Sequence, residues 1–233
     1  MLPNERVVLV HAGVADSRMW ERQAALLRAH GYDVVAPDLP GFGNEPLPTE
    51  PFSYVELIAR FLPAVLVGNS FGGLVALETA LAHPDEVHKL VLVAPSVRDH
   101  DWSRQIQECW EDEEELVEQR DFDAATELSL RLFAQPHVHE DVRPMQRRAY
   151  ELQAAATTEP TWLDAAPLSE LRTPTLVLVG EHDLRDFLDI ATRLAGELPN
   201  AQLEMIAGAK HLPSLETPDA FDRLLLEFLS ATR

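Results

Sequence analysis

Along the chain, short β-branched runs alternate with stretches whose apolar residues recur at helical spacing. Val7-Val8-Leu9-Val10 is the first run, closed by His11-Ala12-Gly13. Arg18 to His30 sets Trp20, Ala24 and Leu27 on one face and meets a stop at Gly31, which predicts a helix. Asp33 to Pro37 reads as a second strand, and a breaker cluster of Pro40, Gly41, Gly43, Pro46 and Pro48 follows it. Ser53 to Phe61 is a short helix with Ser53 as cap and Glu56 three residues on. Further strands are predicted at Val65–Val67, Leu90–Val93, Leu176–Val179 and Leu203–Ile206. Helices are predicted at Leu74–His83, about Asp186–Leu198 and about Pro218–Leu229.

This alternation implies βαβ units: an α/β fold whose mostly parallel sheet of about six strands has helices on both faces. The pattern breaks once. Residues 96–165 contain no convincing strand and read as amphipathic helices over Trp102–Val117, Phe122–Phe133 and Asp141–Ala156. They form an all-helical insertion after the fourth strand, leaving 1–95 and 166–233 as the core.

Charge sharpens the picture. The net charge is −20, and the insertion carries half of it, with 17 acidic against 7 basic residues. A field of that sign repels phosphate, so nucleic acid and anionic membranes are poor partners. At 233 residues, 46% hydrophobic and 25% charged, the composition is that of one globular domain. No apolar run approaches the roughly 18 residues of a membrane span, and the N-terminus has no basic-then-apolar leader. One cysteine, Cys109, excludes an internal disulfide and a cysteine-based zinc site. The expectation is a cytoplasmic, enzyme-sized domain without metal or cofactor.

The chemistry concentrates at Gly68-Asn69-Ser70-Phe71-Gly72-Gly73, where the third strand runs into a helix. G-x-S-x-G alone recurs by chance; on a tight strand-to-helix turn it lifts a serine above the sheet at a helix N-terminus. A serine hydroxyl needs a base to take its proton, and the base needs a carboxylate to fix its tautomer. Asp183 and His211 each follow a strand end, in the order serine, acid, histidine. Backbone N–H groups of Gly13 and Phe71 are placed to meet a developing oxyanion. His11 reads as a loop brace rather than the base.

With Leu9-Val10-His11-Ala12-Gly13, Asp38-Leu39-Pro40-Gly41-Phe42-Gly43, Gly68–Gly73, Gly180-Glu181-His182-Asp183 and His211, the chain resembles the α/β-hydrolase family, in its serine esterase and lactonase branch. The resemblance implies a Ser70–His211–Asp183 triad, an oxyanion hole from Gly13 and Phe71, and a helical cap at 96–165. It implies hydrolysis of a small, mostly apolar carboxylic ester or lactone through an acyl-enzyme on Ser70. Departures are Ala12 in place of glycine, Lys210 beside His211 near the expected site mouth, and a short segment between Gly43 and Ala64. The N-terminal antiparallel hairpin usual in the family is also missing. That leaves Asp33–Pro37 as an open edge, with Val34 and Val35 unpaired, so a homodimer through this edge or cover by N-terminal residues is expected.

Three other readings use the same scaffold. Hydrolysis of a C–C bond in a vinylogous diketone needs the same triad, although Leu212 follows His211 where that branch tends to carry tryptophan. Cofactor-free perhydrolysis is another reading, and a ligand-binding receptor is the alternative of a different class. Ser70 argues against the branches with an aspartate nucleophile. Weaker signals read as structural: His137 and His139 as solvent-facing, Cys109 as a small apolar residue, Glu111–Glu115 as a solvated helix face. Of Trp102, Trp110, Phe122, Phe133, Met145 and Trp162, two or three are expected to line a pocket over Ser70.

Overall fold

The structure, a computed structural model, describes residues 5–155, 158–163 and 166–231. Six parallel strands form one sheet in the order β2-β1-β3-β4-β5-β6: β1 (Arg6–Val10), β2 (Asp33–Val35), β3 (Ala64–Asn69), β4 (Val87–Val93), β5 (Thr175–Gly180) and β6 (Ala201–Ile206). Every residue of β3 and β5 is buried, as expected for strands covered on both faces.

The period of two divides the strands between two apolar layers. Val8, Val10, Leu66, Leu90, Leu92 and Val177 face one layer. There they meet α2 (Tyr54–Ala59), α3 (Phe71–Ala82) and α7 (Arg185–Glu197). Val7, Leu9, Val65, Val67, Val91 and Leu178 face the other layer, against α1 (Glu21–Ala29) and α9 (Pro218–Ser230). Burial on both sides is what holds the sheet in register, because a slip by one residue would exchange the layers.

Local signals explain most boundaries. The Ser53 side chain accepts from Glu56 N–H and starts α2. Gly31, at φ +86°, ends the turn after α1. The N-terminal part of the first predicted helix is a 3₁₀ turn over Ser17–Trp20, capped by Asp16. β4 begins at Val87, earlier than its apolar run. His88 and Lys89 masked it, because Lys89 is buried in the strand with Nζ 2.9 Å from the carbonyls of Phe228, Leu229 and Ala231. That ammonium caps the C-terminus of α9.

β2 is shorter than expected. It stops at Val35, ahead of Pro37, which has no N–H to donate. Asp33 N–H reaches Glu5 O, so strand alternation turns Asp33 and Val35 toward β1 and only Val34 outward. The Val34 carbonyl accepts from Arg28 Nη2 at 3.1 Å. The open edge is thus one residue wide, not two, and half of it is covered.

Between β4 and β5 lie α4 (Arg104–Glu118), α5 (Phe122–Phe133) and α6 (His139–Gln153). The expected end of the last of these, Ala156, falls outside the described residues. Ile106, Cys109, Phe133 and Ala149 join the first core layer, so these helices pack onto the sheet domain rather than standing apart from it. A four-residue helix, α8 (Pro213–Glu216), precedes α9. Among the described residues, no helix is long and apolar enough to cross a membrane.

Candidate active site

Ser70 sits between β3 and α3 at φ 53°, ψ −114°, a conformation that costs a non-glycine residue on the order of 1–3 kcal/mol. The surroundings hold it there. Ser70 N–H donates to Val93 O at 2.8 Å, and Ser70 O accepts from Leu74 N–H and Ser96 N–H at 3.0 Å each. Glycine is required on both sides by crowding. A Cβ on Gly68 would lie 2.1 Å from Gly72 O, and one on Gly72 would lie 2.4 Å from His11 O and Val10 O. The turn therefore closes against both its own strand and β1.

Asp183 and His211 come from the loops after β5 and β6. Nδ1 of His211 lies 3.1 Å from Oδ2 and 3.2 Å from Oδ1 of Asp183, and both side chains are sealed from solvent. A proton on Nδ1 donates to the carboxylate and leaves Nε2 as an acceptor. The rings of Phe187 and Phe133, with centroids 4.1 and 5.3 Å from the imidazole, hold it in place. Asn69, which the sequence did not single out, donates from Nδ2 to Val93 O at 3.0 Å and His211 O at 3.2 Å. It ties the Ser70 turn to the histidine loop.

Ser70 and His211 line one cavity of about 480 Å³, together with Gly13 and Phe71. The Gly13 and Phe71 loops touch, since a Cβ on Gly13 would meet Phe71 Cβ at 3.4 Å. Aromatic side chains form much of the walls. Trp102, Trp110 and Phe133 of the insertion line the cavity, whereas Phe122 and Met145 pack elsewhere and Trp162 stacks near Tyr54 and Phe71. Glu113 is the one carboxyl among the described lining residues, which include no lysine or arginine.

Two expectations are corrected here. The Glu111–Glu115 run is not wholly a solvated face: Glu113 turns inward, one turn beyond Cys109, and its carboxyl lies 3.5 Å from Cys109 Sγ. Lys210 is not at the site mouth. It is half-buried, its Nζ donates to Arg131 O at 2.9 Å, and burial pushes its pKa down. The other minor signals have structural partners. His11 is fully buried, with Nδ1 2.9 Å from Ala12 O and Nε2 accepting from Leu39 N–H at 3.0 Å; burial lowers its pKa. Cys109 is buried, and its thiol is pushed up to about 12. His137 and His139 face the carbonyls of Glu216 and Ala134.

Asp186, three residues beyond Asp183, lies on α7 and has other partners. Its Oδ1 accepts from Ser103 N–H at 2.7 Å and lies 3.0 Å from His100 Nε2. Burial opposes its charge, but these hydrogen bonds win and hold its pKa below the ordinary value. Its partners fix the start of α4 to α7.

Known proteins resemble the chain over nearly its whole length. The chain is 28% identical over 252 residues to the pimeloyl-acyl-carrier protein methyl ester esterase of Pectobacterium atrosepticum, covering 98% of this chain and 95% of that protein. It is 28% identical over 260 residues to a 2-hydroxy-6-oxononadienedioate/2-hydroxy-6-oxononatrienedioate hydrolase of Burkholderia vietnamiensis, covering 97% and 87%. A carboxylesterase crystal structure from Nitrososphaera gargenis superposes with a TM-score of 0.80 at 20% identity, covering 97% of this chain and 90% of that one, which shows the shared fold. The alpha/beta hydrolase family matches residues 7–224, from the first strand into the last helix, and the chain belongs to that family.

Proposed function

We propose that this protein is a serine hydrolase that cleaves a small, mostly apolar carboxylic ester or lactone through an acyl-enzyme on Ser70. The observation that carries the reading is the buried Asp183–His211 pair opening onto the same cavity as the strained Ser70. In this reading Nε2 of His211 takes the Ser70 proton as Oγ attacks the carbonyl carbon. The Gly13 and Phe71 N–H groups hold the oxyanion. The C–O bond breaks, and the alcohol leaves with the proton from His211. Water then attacks the acyl carbon by the same steps, and Ser70 is regenerated. Residues 1–95 and 166–233 form the catalytic core, and 96–165 serves as a cap whose aromatic residues form the walls of the cavity.

A C–C bond hydrolase using the same residues is the second reading, favoured by the B. vietnamiensis relative. The cavity argues against a doubly anionic substrate of the kind in that relative's name, because its described lining carries a carboxyl and no arginine or lysine. A fluorophosphonate probe should label the chain once, on Ser70, and chromogenic short-chain esters should be turned over. Ser70→Ala should abolish labelling and lower turnover by about four orders of magnitude or more. Labelling that survives Ser70→Ala would sink the assignment.

A further inference from the structure

Each of the three insertion helices turns a polar side chain into the cavity that Ser70 lines. Glu113 comes from α4, Ser129 from α5, and Tyr150 and Gln146 from α6. On α4 the inward stripe runs Ile106, Cys109, Glu113, so a carboxyl occupies a position where helix packing calls for an apolar residue. The hydroxyls of Ser129 and Tyr150 face that carboxyl, and no ion pair reaches it among the described residues. Burial pushes the Glu113 pKa above the ordinary carboxylate range. The Ser129 hydroxyl, sealed from water, completes no hydrogen bond of normal geometry.

The cluster also reaches the oxyanion loop. With its amide turned to suit its neighbours, Gln146 donates to Gly13 O at 3.1 Å and Val14 O at 3.3 Å, and accepts from Tyr150 O–H at 2.8 Å. Polar groups brought together in a cavity with many aromatic walls leave a demand that a ligand must meet. An alkyl end that fills the cavity strips water from Glu113 and leaves the Ser129 hydroxyl without a partner, and a carboxylate end adds repulsion. A donor end replaces the lost water.

We propose that Glu113 and Ser129 form a specificity subsite that takes a hydrogen-bond donor, a hydroxyl or a protonated amine, carried by the substrate outside its scissile bond. This rests on the hydrolase reading above. Glu113 is a binding residue in this view, with no part in bond cleavage.

The test compares p-nitrophenyl esters of hexanoate, ω-hydroxyhexanoate, ω-aminohexanoate and the adipate half-ester, with the same four ends also placed on the alcohol side of acetate esters. The readout is the ratio of kcat/KM values within each protein, so that a general loss of rate cancels. In the wild type, on whichever side of the ester occupies the subsite, the hydroxyl and ammonium ends should exceed the methyl end, and the carboxylate end should be poorest, about a hundredfold below ammonium. Glu113→Leu should cut the hydroxyl-to-methyl ratio about tenfold or more. Glu113→Gln should keep the hydroxyl preference through its amide oxygen and lose the ammonium preference, and Ser129→Ala should weaken the hydroxyl preference alone. Thermal melts accompany each variant, and where Glu113→Leu does not fold, Glu113→Gln decides. Equal ratios in wild type and variants, or a melt that shifts without any change in ratio, would show that Glu113 only stitches the helices together and would overturn the subsite while leaving the hydrolase intact. A wild type that takes no probe on Ser70 and turns over no ester overturns the hydrolase reading, and this inference with it.

Discussion

At Asp183 the carboxyl is buried against the imidazole of His211, whereas Asp186, three residues on, is committed to Ser103 and His100. The two aspartates should therefore separate in mutagenesis. Asp183→Asn should leave the fold intact and lower kcat by about four orders of magnitude, because the amide favours the wrong histidine tautomer. Asp186→Asn should affect stability instead. The folded Asp186 pKa lies below its unfolded value, so its contribution is full above the ordinary aspartate range and is lost as pH falls through the lower folded value. A melting curve against pH should be flatter on the acid side, below about pH 4, for Asp186→Asn than for the wild type. A larger rate loss from Asp186→Asn than from Asp183→Asn would reverse the assignment.

Among the elements, the joint of β3 with α3 stores the strain, and its glycines are what permit it. A methyl on Gly72 would fall 2.4 Å from two backbone oxygens of β1 and the loop after it, neither of which can rotate away. Gly72→Ala should lower stability by at least about 2 kcal/mol and reduce turnover, since the displaced strand carries the Gly13 loop. Gly196, on α7 with nothing within 4 Å of a Cβ, is the internal control. Gly196→Ala should be neutral or stabilise by up to about 1 kcal/mol through helix propensity. Thermal melts with ester turnover read both. The insertion helices are held by comparable local devices: Asp121 caps α5 through Ala124 N–H, and Asp186 anchors the start of α4.

For the whole molecule, charge and sheet edges set behaviour beyond the site. With a net charge of −20, half of it within residues 96–165, an anionic substrate approaches against the field. Matched neutral and carboxylate-bearing esters should differ in kcat/KM, and the gap should narrow as salt shortens the Debye length from about 8 Å at physiological ionic strength. A salt-independent preference for the anion would contradict this. At the β2 edge, a second copy pairing on Val34 would have to displace Arg28. Arg28→Ala should promote a homodimer through that edge, read by light scattering. A variant that stays monomeric at high concentration would rule the edge out as a docking strip.

The fold was legible because its cause is local and repeated. β-branched runs with helical intervals predict buried parallel strands, and all six strands lie where the pattern puts them, with ends shifted by up to three residues. The places of Ser70, Asp183 and His211 after β3, β5 and β6 were legible because turn glycines and strand ends confine them to one rim of a parallel sheet. The contact of His211 with Asp183, Nδ1 to Oδ2 at 3.1 Å, was decided by the order of the strands. The polar residues that the insertion helices turn into the cavity were not legible. Glu113 sits in a run of acids that reads as solvent-facing, and only the rotation of α4 against α5 and α6 turns that one carboxyl inward beside Ser129 and Tyr150. Nor could sequence show that Lys89 is buried, because its partners are carbonyls at the end of α9, about 140 residues away along the chain. Periodicity reports which face of an element is covered; what covers it depends on contacts between distant segments, which only the tertiary structure brings together.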